Sequence, residues 1–350
     1  IFQFDSLSLV LPPLYGISPK GDDHIPYSEV SGGQHKNGEF DFEKGKLTIG
    51  AAVVDFGKDS ELINIFDASG DLQKVGFVSD DDSLNTANEK ADLILVGEKG
   101  STMTGGKGDD SIFADDGSIV DGGAGQNYIF LNDVDTEGTT IALSSGRNTI
   151  ENFNATFDDG DKVSVDATTA DLKFDGATLT VKNNGARALI ENITAEDGTA
   201  RILTVADGKE FKTAIAQKDS IIAVGDDDAA ADIYIGKKSG VDFTSFEESL
   251  VVDLTDGKSY RGINQITIGG GLNTLIGSSA NETLTGNANG VTEFVFNAGG
   301  GRDVIRNFNF EEDRINVGSN VITNVVLSKS GNVRLEMGED RLTLEDAQGK

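Results

Sequence analysis

The chain has 350 residues, with 59 acidic against 29 basic side chains and a formal net charge of −30. This balance leaves no basic patch to displace counterions, so nucleic acid is excluded as a natural partner. Cysteine is absent, which rules out disulfide staples and thiolate metal centres, and no apolar run reaches the roughly 18 residues of a membrane-spanning helix.

Glycine is abundant at 44 residues, proline is rare at 4, and no collagen period is present. Apolar residues come as short runs of Ile, Leu, Val and Phe between Gly, Asp and Asn, which predicts an all-β chain with many tight turns. Residues 1–45 read as an irregular N-terminal cap or linker. They hold Pro12-Pro13, SPKGDDHIP and SGGQHKNG, with Phe2, Phe4, Leu9, Val10 and Leu11 as apolar anchors. The two histidines, His24 and His35, both fall here and are expected to be exposed or lightly packed. The chain starts at Ile1 rather than Met, as a mature form or a fragment would, and no basic segment precedes an apolar stretch as in a signal peptide.

A first module is expected over 46–200, built from KLTIGAAVVDF, ELINIF, ADLILVG and STMTGG. Next comes GGKGDDSIF, Gly105 to Phe113, and then GGAGQNYIF, Gly122 to Phe130. The intervening ADDGSIVD would turn the chain on the opposite side, giving a circuit of 17 residues from Asp110 to Asn127. Ile112 and Ile129 would then point into a coil. Residues 186–224 carry some helical spacing broken by glycine, so strands with one short helix are expected there, with 201–225 as a linker.

A second module, 226–350, repeats landmarks of the first. SGRNTIENFN at Ser145 to Asn154 returns as GGRDVIRNFN at Gly300 to Asn309, and GDKVSV at Gly160 is matched by EDRINV at Glu312. ADLILVGEKG at Ala91 corresponds to ADIYIGKKSG at Ala231, and each follows an acidic cluster, Asp80 to Asp82 or Asp226 to Asp228. Those clusters read as solvated loops. Phe153 and Phe308 are expected to cap the core, and Arg147 and Arg302 to pair with acids. Asp171 to Gly185 and Val325 to Leu344 read as antiparallel hairpins closing each module. Such self-similarity predicts a solenoid: two related parallel β-roll or β-solenoid modules, each closed by hairpins.

The glycine–aspartate turns have the chemistry of a hard-cation site. Gly106 and Gly108 allow carbonyl oxygens to converge, and Asp110 adds a carboxylate, as Ca²⁺ needs six to eight oxygens. In the partner turn, Gly123 and Gly125 play the same part and Asn127 holds the Asp110 place. Asn supplies an oxygen without charge, so that turn either binds weakly or stands metal-free.

This text resembles the repeats-in-toxin (RTX) family, whose repeat is G-G-x-G-x-D-x-U-x with U large and apolar. Gly105, Gly106, Gly108, Asp110 and Ile112 match the whole repeat, and Gly122, Gly123, Gly125 and Ile129 match with Asn127 departing at the ligand position. Asn148, Asn273, Glu282 and Asp303 stand at the same place in more degenerate copies, and Asp303 joins the candidate ligands. The resemblance implies a hemolysin-type β-roll with Ca²⁺ between turns and type I export to a Ca²⁺-rich exterior.

No H-E-x-x-H, G-x-S-x-G or phosphate-binding loop is present, no carboxylate pair stands out among the 59 acids, and Trp is absent, which weakens a sugar-stacking groove. A non-enzymatic, Ca²⁺-stabilised structural or adhesive protein of a bacterial surface is therefore expected, either surface-layer or adhesin. Its partners would be copies of itself or a cell-surface glycan or protein. The alternatives are a calcium-binding carrier region of a larger secreted enzyme or toxin, and a carbohydrate-active enzyme on a β-solenoid.

Overall fold

Short β-branched runs cut by turn residues can neither sustain a helix nor extend into long strands, and the structure is β throughout. The computed structural model describes residues 24–31, 34–41, 46–49, 52–55, 61–66, 72–132, 137–165, 171–193, 199–225 and 230–346, with side chains from Lys74 onward. Among these residues no helix is long and apolar enough to cross a membrane. Pro12-Pro13, the anchors from Phe2 to Leu11, and Asp226 to Asp228 lie outside the described residues.

The chain forms two compact units. One comprises Ile1–Asp171, Thr178–Ile193 and Ile202–Glu210, the other Leu172–Ala177, Thr194–Arg201 and Phe211–Lys350. In the first, the stretch read as irregular contributes strands His24–Ser31 and Gln34–Asp41 to a four-stranded antiparallel sheet with Lys46–Ile49 and Ala52–Asp55.

The rest of the first unit is a parallel coil. Leu72–Val78, Leu93–Gly97, Ser111–Asp115, Gln126–Asn132 and Arg147–Glu151 stack in register on one side. Ser83–Asn85, Thr102–Thr104, Ile119–Asp121, Thr140–Ala142 and Lys162–Ser164 stack on the other. Period-2 alternation turns one aliphatic residue inward per strand. The register therefore builds two columns, Leu95–Ile112–Ile129–Ile150 and Met103–Val120–Ile141–Val163, all fully buried. Removing any of the Leu, Ile or Met side chains of these columns down to Ala would cost about 2–5 kcal/mol.

The second unit repeats the scheme. Ile233–Asp242, Tyr260–Thr267, Thr283–Thr285 and Arg302–Arg306 stack in one parallel sheet, with Val241, Ile266, Leu284 and Ile305 in register. Val251–Asp253, Gly271–Ile276, Gly290–Val295 and Arg314–Asn316 form the other, aligning Val252, Leu275, Phe294 and Ile315.

A hairpin closes each unit in the same way. Ala186–Ile190 joins the stack parallel to Arg147–Glu151 and pairs antiparallel with Leu179–Asn183. Asp340–Leu344 joins parallel to Arg302–Arg306 and pairs antiparallel with Val333–Met337, which in turn pairs with Asn324–Leu327. Asn184 and Gly185 both take positive φ, 46° and 92°, the backbone that a two-residue primed turn requires.

Three expectations change. The helix anticipated within 186–224 is replaced, among the described residues, by strands Ala186–Ile190, Thr199–Ala206, Lys209–Ala216 and Ile221–Ala223. Its apolar spacing is that of strands interrupted by turns such as Asp207-Gly208, both at positive φ. Residues 1–45 are not wholly irregular, as the two strands above show. Arg147 and Arg302 are exposed and form no ion pair among the described residues, since each projects from a strand start where its backbone N–H, not its guanidinium, meets the neighbouring coil. Phe153 is buried, and Phe308 packs on Phe294 with ring centroids 6.0 Å apart.

Candidate cation-binding turns

The glycine–aspartate turns link the strands ending at Thr104 and Asp121 to those starting at Ser111 and Gln126. They stack because neighbouring coils meet backbone to backbone. Ala124 N–H donates to the Gly106 carbonyl at 2.9 Å. A methyl group on Gly123 would lie 2.4 Å from that oxygen, and one on Gly125 would lie 2.1 Å from the Gly108 carbonyl. Gly123 and Gly125 also hold φ of 71° and 88°, so both conformation and closeness demand glycine there.

Asp110 follows its turn and points inward, only 1% exposed. One carboxylate oxygen accepts Gly106 N–H at 2.6 Å within the turn, and the other accepts Leu93 N–H of the preceding coil at 2.9 Å. Burial pushes its pKa up to about 6; these two N–H groups oppose that, and the carboxylates of Asp92 and Asp109 add to it. Asn127 repeats the pose one circuit of 17 residues later, its Oδ1 accepting Asp110 N–H at 3.0 Å. Its Nδ2 donates to the Gly123 carbonyl at 3.3 Å and to Asn148 Oδ1 at 3.0 Å. Gly106, Gly108, Asp110, Gly123, Gly125 and Asn127 are thus brought together in two stacked turns. Around Asn127 the amide is satisfied by the protein itself.

Asp303 belongs to the second unit. Asn273 there copies Asn127, taking Leu250 N–H at 3.0 Å and donating to the Gly270 carbonyl at 2.8 Å. Two coil positions on, amide gives way to carboxyl. Asp303 Oδ1 accepts Glu282 N–H at 2.9 Å, and both side chains are buried, 3% and 1% exposed. Ser278 Oγ donates to Glu282 Oε1, while buried Glu282 Oε2 has no hydrogen-bond partner. Burial, then the facing Glu282 carboxyl and then Asp340 hold the Asp303 pKa well above the carboxylate range.

Two further members of this pattern escaped sequence reasoning. Asp161 accepts Thr139 N–H at 2.7 Å and Asn154 N–H at 2.8 Å. Asp313 makes the same pair of bonds, to Thr292 at 2.7 Å and Asn309 at 2.8 Å. Their signal was present: each is the shared aspartate of GDKVSV and EDRINV. Asp80, Asp81 and Asp82 are exposed, as a solvated loop would be.

A hard cation suits the Glu282–Asp303 pair best, because an orphaned buried carboxylate oxygen faces a second buried carboxyl. Among the described residues no group of three or more acidic, His or Cys side chains converges, so backbone carbonyls and water would complete the shell. At Asp110 both oxygens already serve backbone donors, leaving only their remaining lone pairs for a metal.

No protein-family model matches this chain, nor does any curated protein sequence. Among solved structures it is similar to the extracellular lipase LipA from Serratia marcescens, with 15% identity over 75% of this chain and a TM-score of 0.22. The match covers 39% of the lipase chain, and it carries no argument about activity.

Proposed function

We propose that this is a calcium-stabilised extracellular structural or adhesive protein of a bacterial surface, working by binding and assembly rather than catalysis. The observation that carries the reading is the buried Glu282–Asp303 pair with its unpartnered Glu282 oxygen, inside a chain of net charge −30. Two carboxyls that cannot both ionise cheaply in a dry turn are a folding penalty that a divalent cation removes. Asp110 with the carbonyls of the Gly106 and Gly108 turn is the second candidate position. Cation binding to the folded chain alone would add about 2.7 kcal/mol per site at a hundredfold excess over Kd.

The test is thermal unfolding and hydrodynamic size after chelation, then through a millimolar Ca²⁺ titration with a matched Mg²⁺ control. A Ca²⁺-specific gain in Tm and compactness is expected, and larger species would favour a surface array over a monomeric adhesin. An unchanged Tm would overturn the calcium role and leave the turns as metal-free scaffold.

A further inference from the structure

A cleft of about 590 Å³ in the second unit borders the Asp313 turn through Asn309 and is lined by none of the candidate calcium ligands. It opens where four neighbouring parallel strands end, at the register-aligned Asp242, Thr267, Thr285 and Arg306. Thr244, Thr267, Asn287, Asn307 and Asn309 supply its polar lining, over a floor that includes the buried Ile268 and Gly286. None of the lining residues is titratable, in a chain with 59 carboxylate side chains.

Thr244 Oγ1 donates to the Asp242 carboxylate and the Asn309 carboxamide is held by Glu311 N–H and Glu312, but the other three polar side chains keep free groups. Neither the Asn307 carboxamide nor the Thr267 hydroxyl has a protein partner among the described residues. Asn287 uses its oxygen on Asn289 N–H at 2.8 Å, which leaves its NH₂ free. Carboxamides and hydroxyls both donate and accept, so they match a ligand whose own groups do both. An anion gains nothing from approaching so acidic a molecule at an uncharged lining. The volume lies within the range of small-molecule sites.

From this cleft we infer that the second unit binds a neutral oligosaccharide, held by the side chains of Asn287, Asn307 and Thr267. This names a ligand for the adhesive role proposed above and uses no calcium ligand, so either reading can fail without the other. Isothermal titration calorimetry of the full chain in saturating Ca²⁺ would use maltotriose, cellotriose, mannotriose, chitotriose and lactose, with a heparin-derived trisaccharide as the anionic control. At least one neutral sugar should bind with Kd of about 1 mM or tighter. Asn287→Ala and Asn307→Gly should each weaken it about fivefold, the weight of one net hydrogen bond, at unchanged Tm. Glycine is chosen at 307 because Asn307 sits at φ 53°. Preference for the anionic sugar, insensitivity to both substitutions, or no binding by any neutral sugar would overturn the inference. Loss of binding after chelation with Tm unchanged would also overturn it, since no calcium ligand lines the cleft.

Discussion

At Asn127 and Asn148 the first unit sets amide against amide, and at Glu282 and Asp303 the second sets acid against acid, at the same place in the coil. Asp110, Asn127 and Asn148 form a chain of contacts in which each nitrogen and oxygen meets a backbone group or the next side chain. Glu282 and Asp303 instead set two carboxyls against each other and leave one oxygen unmet. One scaffold position thus holds two solutions. An amide carries its own donor and needs no outside partner, whereas facing carboxyls need a proton or a cation.

The largest expected effect tests whether the scaffold beneath is really the same. Ile129→Ala and Ile305→Ala, both in fully buried columns, should each lose about 2–5 kcal/mol in denaturant unfolding while keeping the wild-type Ca²⁺ response. Unequal losses would mean that the units differ in packing and not only in their turns. Next in size, Asp303→Asn should remove most of the Ca²⁺-dependent stabilisation, about 2.7 kcal/mol at hundredfold excess, and Glu282→Gln should do the same. The converse swap, Asn127→Asp, should lower stability in chelator and create a new Ca²⁺ response, both read from paired melts. If Asn127→Asp is neutral, the amide is not what spares that turn a cation.

Gly125→Ala should cost more than about 1 kcal/mol, because φ is positive and the Gly108 carbonyl is in the way. The smallest shift is with pH. The folded pKa of Asp303 lies above its unfolded value, so its contribution is fully present below the unfolded pKa and fades as pH rises through the folded one. Chelated protein should therefore melt higher when acidified from neutral pH, and Asp303→Asn should flatten that part of the profile. Asp110, raised to about 6, should give a weaker trend of the same sign, fading as pH rises from its unfolded value through about 6. A profile that Asp303→Asn leaves unchanged would place the titrating group elsewhere.

Much of the first unit was legible. The 17-residue circuit, Ile112 and Ile129 facing inward, and Asp110 beside Asn127 all follow from counting glycines and aspartates. The facing of Glu282 and Asp303 was not, because those residues lie 21 apart while the neighbouring register pair Val241 and Ile266 spans a longer coil. Coil length fixes register, and the motif does not state coil length. The apolar spacing near 186–224 misled because strands broken by two-residue turns also return apolar side chains every three or four positions. The neutral cleft has no motif at all: its residues come from four separate strand ends and meet only through the register.

The buried side chains that close these turns all bond in one direction. Leu93 N–H is taken by Asp110, Thr139 by Asp161, Leu250 by Asn273, Glu282 by Asp303 and Thr292 by Asp313, so at these positions a side chain of the later coil accepts from the backbone of the earlier. The stack therefore has a grain. Trimming a coil from the carboxyl end strands such a buried donor in the last remaining coil, at about 1–3 kcal/mol each. A chain growing from its amino end cannot cover those donors until the next coil has been laid over them.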